Sequence, residues 1–309
     1  GLLLVPWAVC WLTASGELDQ EEVVARQAQG EFVLFGPGLA QDIMAYKLAL
    51  YAAVKPEVVV LGSSRAGNVR AAFFERPFVN MAGAATDLES LRLLVDRMLA
   101  VHRPRVVLLG LDFWWLTAGA PAGHPERIVQ PSLLDASTLR APWRWLVQGR
   151  IAPADMLAPL QHRLRADRYG LEAQLRDTGY GPDGSLYEGA VLDGRRPAPD
   201  HAFARTLREL ESGSGVWAGS LAPDRERLEA FVEICCRLRS RGIRTIVFLP
   251  PLATPVLGAL ADRNGGDAGW LSALRQGLLD CGVESMDFSD PRVYGSGDCE
   301  MMDGLHGGD

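Results

Sequence analysis

The sequence has no excess of positive charge: 31 Lys and Arg stand against 38 Asp and Glu, for a formal net charge of −7. Nucleic acid is thereby excluded as the main partner, since that role needs a basic footprint. Cysteine is scarce, at five in 309 residues. There is no Cys-x-x-Cys pair and no Cys/His cluster at zinc spacing, so neither a disulfide framework nor a structural metal is expected, and no motif calls for a cofactor. No internal repeat or low-complexity segment stands out. The longest uncharged apolar run is shorter than the ~20 residues that cross a bilayer. What remains is 48% hydrophobic and 22% charged, which argues against wholesale disorder. The length suits one large domain or two modest ones, with a core that needs no staples.

The chain begins with Gly1 rather than Met, so it is expected to start inside a longer precursor. Residues 2–13 carry no charge. Residues 1–15 therefore read as the remnant of an N-terminal membrane anchor or signal, with Trp7 and Trp11 near an interface. The same run also suits a buried N-terminal helix or strand. An anchor places the rest outside the cytoplasm, in a periplasm or on a cell surface, with residues 16–56 as a lead-in.

From residue 57 the pattern is that of an α/β sheet with crossovers. Residues 57–62 are an apolar run between Pro56 and Gly62, which suits a strand buried on both faces. Residues 78–82 form a second strand. Leu88, Leu91, Val95 and Leu99 then fall at helical spacing, and residues 105–111 make a third strand. From about 112 to 221 the alternation breaks. This stretch reads as an insertion, helical and irregular, with turns or a small hairpin at 177–187, and it holds Trp114, Trp115, Trp143, Trp145 and Trp217. A helix at 225–241 follows, with Phe231, Ile234, Cys235 and Leu238 on one face. A strand at 245–249, a helix near 270–279 and a strand at 283–288 complete the alternation.

Two short motifs can carry chemistry. Gly62-Ser63-Ser64-Arg65 directly follows the first strand, and open α/β sheets place their sites at the carboxyl ends of strands. A serine there has an exposed hydroxyl and backbone N–H groups able to hold an oxyanion, although helix N-capping suits either serine as well. Near the C-terminus stands Asp303-Gly304-Leu305-His306. A carboxylate three residues before a histidine can accept its Nδ1–H and leave Nε2 free as a base. That is the base half of a Ser-His-Asp arrangement. It also suits a solvated acidic tail.

Together, in this order, the motifs resemble the SGNH/GDSL hydrolase superfamily. Gly62-Ser63-Ser64 resembles its first block, with Ser64 as nucleophile and Ser63 in place of the usual Asp. Asn80-Met81-Ala82-Gly83-Ala84-Ala85 resembles the second, whose backbone N–H serves the oxyanion hole; the family's glycine falls where this chain has Ala85. Asp303 and His306 match the last block. The third block departs: Gly110-Leu111-Asp112 puts an aspartate where the family has an oxyanion-binding Asn, and an ionised carboxylate opposes an oxyanion. The departure is similar to relatives found in exopolysaccharide and cell-wall modification.

The resemblance implies a flavodoxin-like, three-layer α/β/α parallel sheet over residues 57–309, with a large insertion after the third strand at about 113–221. It implies a serine esterase or O-acyltransferase acting on an extracytoplasmic polysaccharide, with Ser64, Asp303 and His306 catalytic. Asn80, Gly83, Ala85, Asp112 and Arg65 would lie at the oxyanion or substrate. The partners implied are an acylated glycan and a membrane-bound acyl donor. The alternative is a catalytically weak or inactive binding and assembly protein of an envelope polysaccharide machine. Arg65 suits either a substrate anion or a local ion pair. Most tryptophans suit core or lid packing better than a sugar platform, and the insertion is expected to wall the Ser64 site. His124, His162 and His201 lack metal spacing, and Cys281 and Cys299 are left open as a possible pair.

Overall fold

Where apolar runs alternate with amphipathic ones, the chain alternates strands with helices. The computed structural model describes residues 4–39, 42–117, 131–158, 164–195, 200–218, 223–263 and 269–307. In chain order the elements are α1 (Leu4–Ala14), α2 (Gln20–Ala28), β1 (Leu34–Phe35), α3 (Ile43–Val54), β2 (Val58–Leu61), β3 (Phe78–Asn80), α4 (Leu88–Val101) and β4 (Val106–Gly110). Then come α5 (Ala136–Val147), β5 (Arg168–Tyr169), α6 (Leu171–Arg176), β6 (Thr178–Tyr180), β7 (Leu186–Glu188), α7 (Gly189–Leu192) and α8 (Ala204–Ser212). The chain closes with α9 (Arg225–Ser240), β8 (Arg244–Leu249), α10 (Thr254–Arg263), α11 (Gly269–Asp280) and β9 (Glu284–Asp287).

The chain divides into two compact units, residues 1–53 with 126–195, and residues 54–125 with 196–309. In the second unit five strands form a wholly parallel sheet in the order β3-β2-β4-β8-β9. Counted along this unit that is 2-1-3-4-5, a doubly wound order whose switch point lies between its first and third strands. Interior strand β2 is buried at all four positions, which is why Val58–Leu61 reads as an unbroken apolar run. Edge strand β9 exposes Glu284, Ser285 and Met286 and pairs Glu284 with Arg244, so charge marks the open edge. Helix α4 starts on a capping box between Asp87 and Ser90. Helix α9 is capped by Asp224 and buries the four side chains its spacing predicts, Phe231, Ile234, Cys235 and Leu238. Cys281 pairs with Cys236 of α9, not with Cys299, which is free and exposed. On α9 Cys235 faces the core, and its neighbour Cys236 lies with its Cα 5.6 Å from that of Cys281, within bridging reach.

The other unit has a core of its own. The uncharged N-terminal run contains α1, which packs on α5 with Ala8, Trp11 and Leu12 fully buried. The Trp7 and Trp11 indoles donate to the carbonyls of Met156 and Asp155 at 3.0 and 3.3 Å. Residues 16–53 belong to the same unit. β1 joins β5, β6 and β7 in a mixed four-stranded sheet, so the first 53 residues and the middle of the expected insertion build one core. The hairpin expected at 177–187 is the antiparallel pair β6–β7. Glu17 is buried in this core and accepts N–H bonds from Gly38, Leu39 and Leu171. Burial outweighs those bonds and pushes its carboxyl up to about 7. Among the described residues no helix is long and apolar enough to cross a membrane.

Candidate active site

The site forms where β2 and β4 end. Gly62 leaves β2 with φ of +140°, a conformation that favours glycine, and a Cβ there would lie 2.9 Å from the Gly110 carbonyl. The chain then enters a single 3₁₀ turn, Ser64–Ala66. The two serines divide the roles open to them. Ser63 caps the turn, its Oγ accepting the Arg65 N–H at 3.2 Å. Ser64 is exposed, with its Oγ 2.8 Å from His306 Nε2.

The base segment is shaped by its own aspartate. Asp303 Oδ1 accepts the N–H groups of Leu305 and His306, both at 2.8 Å, closing a tight turn. That turn brings His306 Nδ1 to 3.0 Å from both carboxylate oxygens. Burial alone would raise the Asp303 pKa, but His306 and the two N–H bonds outweigh it and hold the carboxyl down at about 2. With Nδ1–H given to Asp303, Nε2 is free to accept the Ser64 proton. Gly304 is required by packing: a Cβ there would meet Thr206 at 2.6–2.7 Å and Val256 at 2.8 Å.

The remaining predicted site residues are placed differently from expectation. Asp112 and Arg65 form a buried ion pair, Oδ1 to Nη1 at 2.8 Å, with side chains 1% and 3% exposed. Neither is open to substrate: Asp112 is corrected from oxyanion contact to an internal pair, and of the two roles open to Arg65 the local ion pair is the one observed. Asp112 is held by the guanidinium, which also lies 5.5 Å from the Trp114 ring. Asn80 is fully buried. Its Nδ2 donates to the carbonyls of Ala66, Gly67 and Val69 and its Oδ1 accepts the Ala82 N–H. It braces the turn after Ser64 rather than meeting substrate. The Gly83 N–H donates to the Gly62 carbonyl at 2.9 Å and is therefore spent. The N–H groups of Ser64 and Ala85 have no acceptor among the described residues.

The ends of the expected insertion that belong to this unit do stand beside the base segment. Thr206 of α8 packs on Gly304, and Arg205 Nη2 lies 3.6 Å from Asp303 Oδ2. Trp217 is buried in a cluster with Leu252 and Val256, against which Phe113 and Leu305 pack. Trp114, Trp115 and Trp145 are buried too, as packing residues. Residues 126–195 belong to the other unit. His124, His162 and the His201 side chain lie outside the described residues. Asn68, Arg205 and Thr206 went unread in the sequence because nothing local distinguishes them from surface residues. Among the described residues no group of three or more His, Cys, Asp or Glu is placed to hold a metal.

Compared with family models, with curated proteins and with solved structures, the chain matches none.

Proposed function

We propose that the protein is an SGNH-like serine acyl-ester enzyme, a hydrolase or O-acyltransferase acting on an extracytoplasmic polysaccharide or cell-wall polymer. The observation that carries this reading is the continuous relay from Ser64 Oγ through His306 to Asp303, with contacts of 2.8 and 3.0 Å at the switch point of a parallel sheet. Ser64 Oγ attacks the acyl carbonyl carbon as its proton passes to His306 Nε2. The oxyanion of the tetrahedral intermediate is held by the N–H groups of Ser64 and Ala85. The ester C–O bond then breaks, and His306 returns the proton to the departing sugar oxygen, leaving acyl-Ser64. Water or a second sugar hydroxyl attacks the acyl carbon by the same steps in reverse, which sets hydrolysis against transfer. The Cys236–Cys281 disulfide suits an oxidising compartment and supports the extracytoplasmic part of the reading. A membrane-bound acyl donor is the partner a transferase would need.

A second reading, a weakly active or inactive assembly protein, is favoured by one observation. Asp112 supplies no oxyanion donor, and a missing donor costs on the order of 100- to 1000-fold in rate. Labelling of the folded protein with a fluorophosphonate separates the two readings. The enzyme reading expects a covalent adduct on Ser64 that is absent from Ser64→Ala. A wild-type protein that takes no label supports the assembly reading.

A further inference from the structure

We propose that Arg65 and Asn68, both in the turn that carries Ser64, form a clasp on the backbone either side of His306 and so act as positioning residues for the base. The inference rests on the reading of Ser64 and His306 as nucleophile and base. Arg65 Nε donates to the Leu305 carbonyl at 3.0 Å, one residue before His306. Asn68 Nδ2 donates to the Gly307 carbonyl at 2.6 Å, one residue after it. Between them lies the Ser64 Oγ–His306 Nε2 contact at 2.8 Å. Three consecutive residues of the base segment are thus held by one five-residue stretch, 64–68, so the nucleophile and the base move as one body.

Arg65 is itself fixed from several sides. Nη1 meets Asp112 Oδ1 beyond β4, and Nη2 donates to the carbonyls of Pro250 and Pro251 beyond β8 at 2.8 and 2.6 Å. With Nε on Leu305, every nitrogen of the planar guanidinium is engaged, which a lysine's single ammonium could not reproduce. The guanidinium therefore ties the ends of two strands and the base segment to the turn after β2. This gives Asp112 a purpose: it anchors the clasp. Without the clasp, Asp303 still orients the imidazole on its own turn, but nothing in that turn sets the distance from Nε2 to Ser64. A misplacement of about 1 Å at a reacting pair costs on the order of 100-fold.

The test uses the full chain and two variants, Arg65→Lys and Asn68→Asp, the second isosteric and near the surface, so that one stays folded if the other does not. Two readouts are taken: the rate of fluorophosphonate labelling at Ser64, and the far-downfield proton resonance of His306 Nδ1–H on Asp303. The labelling reports reactivity. The resonance reports the position of the imidazole whether or not the protein is an enzyme. The clasp expects folded variants to label about 100-fold more slowly, with the resonance shifted or lost and with KM for a small acetyl ester unchanged while kcat falls. If the resonance is unmoved in folded variants, the clasp is overturned, whatever happens to labelling. If the wild type takes no label and the variants still lose the resonance, the clasp stands and it is the enzyme reading that falls.

Discussion

Asp112→Asn puts the whole account of the site at risk in one substitution. Were Asp112 facing a developing oxyanion, Asn would restore the missing donor, and ester hydrolysis would rise by on the order of 100- to 1000-fold. The observed pair predicts the opposite. Asp112 and Arg65 are almost wholly buried at 2.8 Å, where the Coulomb attraction at an effective dielectric near 20 is about 6 kcal/mol. Asn keeps an acceptor for Nη1 but leaves the guanidinium without a counter-charge. Its amide N–H₂ would also fall where Asp112 Oδ2 now has no hydrogen-bond partner among the described residues. The relief of no longer burying a carboxylate offsets part of the loss. The net is about 3 kcal/mol, the lower end for breaking a buried pair. For a unit of this size that lowers Tm by roughly 6–12 °C. Thermal unfolding followed by circular dichroism measures the first quantity, and initial rates on a small acetyl ester, taken well below the melting range, measure the second. An unchanged Tm together with a faster ester reaction would break the ion-pair assignment and return Asp112 to the oxyanion.

Three further outcomes follow from the same geometry. Gly304→Ala adds a Cβ that must displace Thr206 or Val256, so it should cost about 1–3 kcal/mol and slow Ser64 labelling; a fully active, equally stable variant would show that the close contact yields freely. Because the Asp303 pKa is depressed, its stabilising contribution is full above the usual carboxylate range near 4 and is lost as pH falls through about 2. The stability gap between wild type and Asp303→Asn, about 2 kcal/mol at neutral pH, should therefore close between pH 4 and pH 2 in urea titrations, and a gap independent of pH would contradict the assigned hydrogen bonds. Reduction of Cys236–Cys281, or Cys236→Ser, releases a link across 45 residues and should remove about 3–4 kcal/mol, read as a lower melting temperature under reductant that Cys236→Ser no longer shows.

The parallel sheet was legible in the sequence because a strand buried on both faces must be apolar at every position, and Val58–Leu61 and Val106–Gly110 carry that mark locally. The buried face of α9 was legible for the same reason, since helical spacing alone selects Phe231, Ile234, Cys235 and Leu238. The base half of the site was legible too: Asp303 and His306 are three residues apart, and one turn suffices to join them. Whatever depends on two distant segments meeting was not. Local pattern leaves open whether Ser63 or Ser64 caps the turn, because that is decided by which one His306 approaches across 242 residues. An uncharged run such as residues 4–14 suits lipid or core equally, and only the presence of α5 to cover Trp11 makes it core. In the same way, Asp112 reads as a liability until Arg65 is seen to neutralise it, and Cys281 could equally pair with Cys299 until α9 presents Cys236. Composition and periodicity record what each segment must hide from water. They do not record against which other segment it hides, because burial is non-directional and any apolar surface will serve. The pairing of segments is therefore settled only when the whole chain closes and the few directional contacts, here the guanidinium of Arg65 and the carboxylates of Asp112 and Asp303, find the one arrangement that satisfies them.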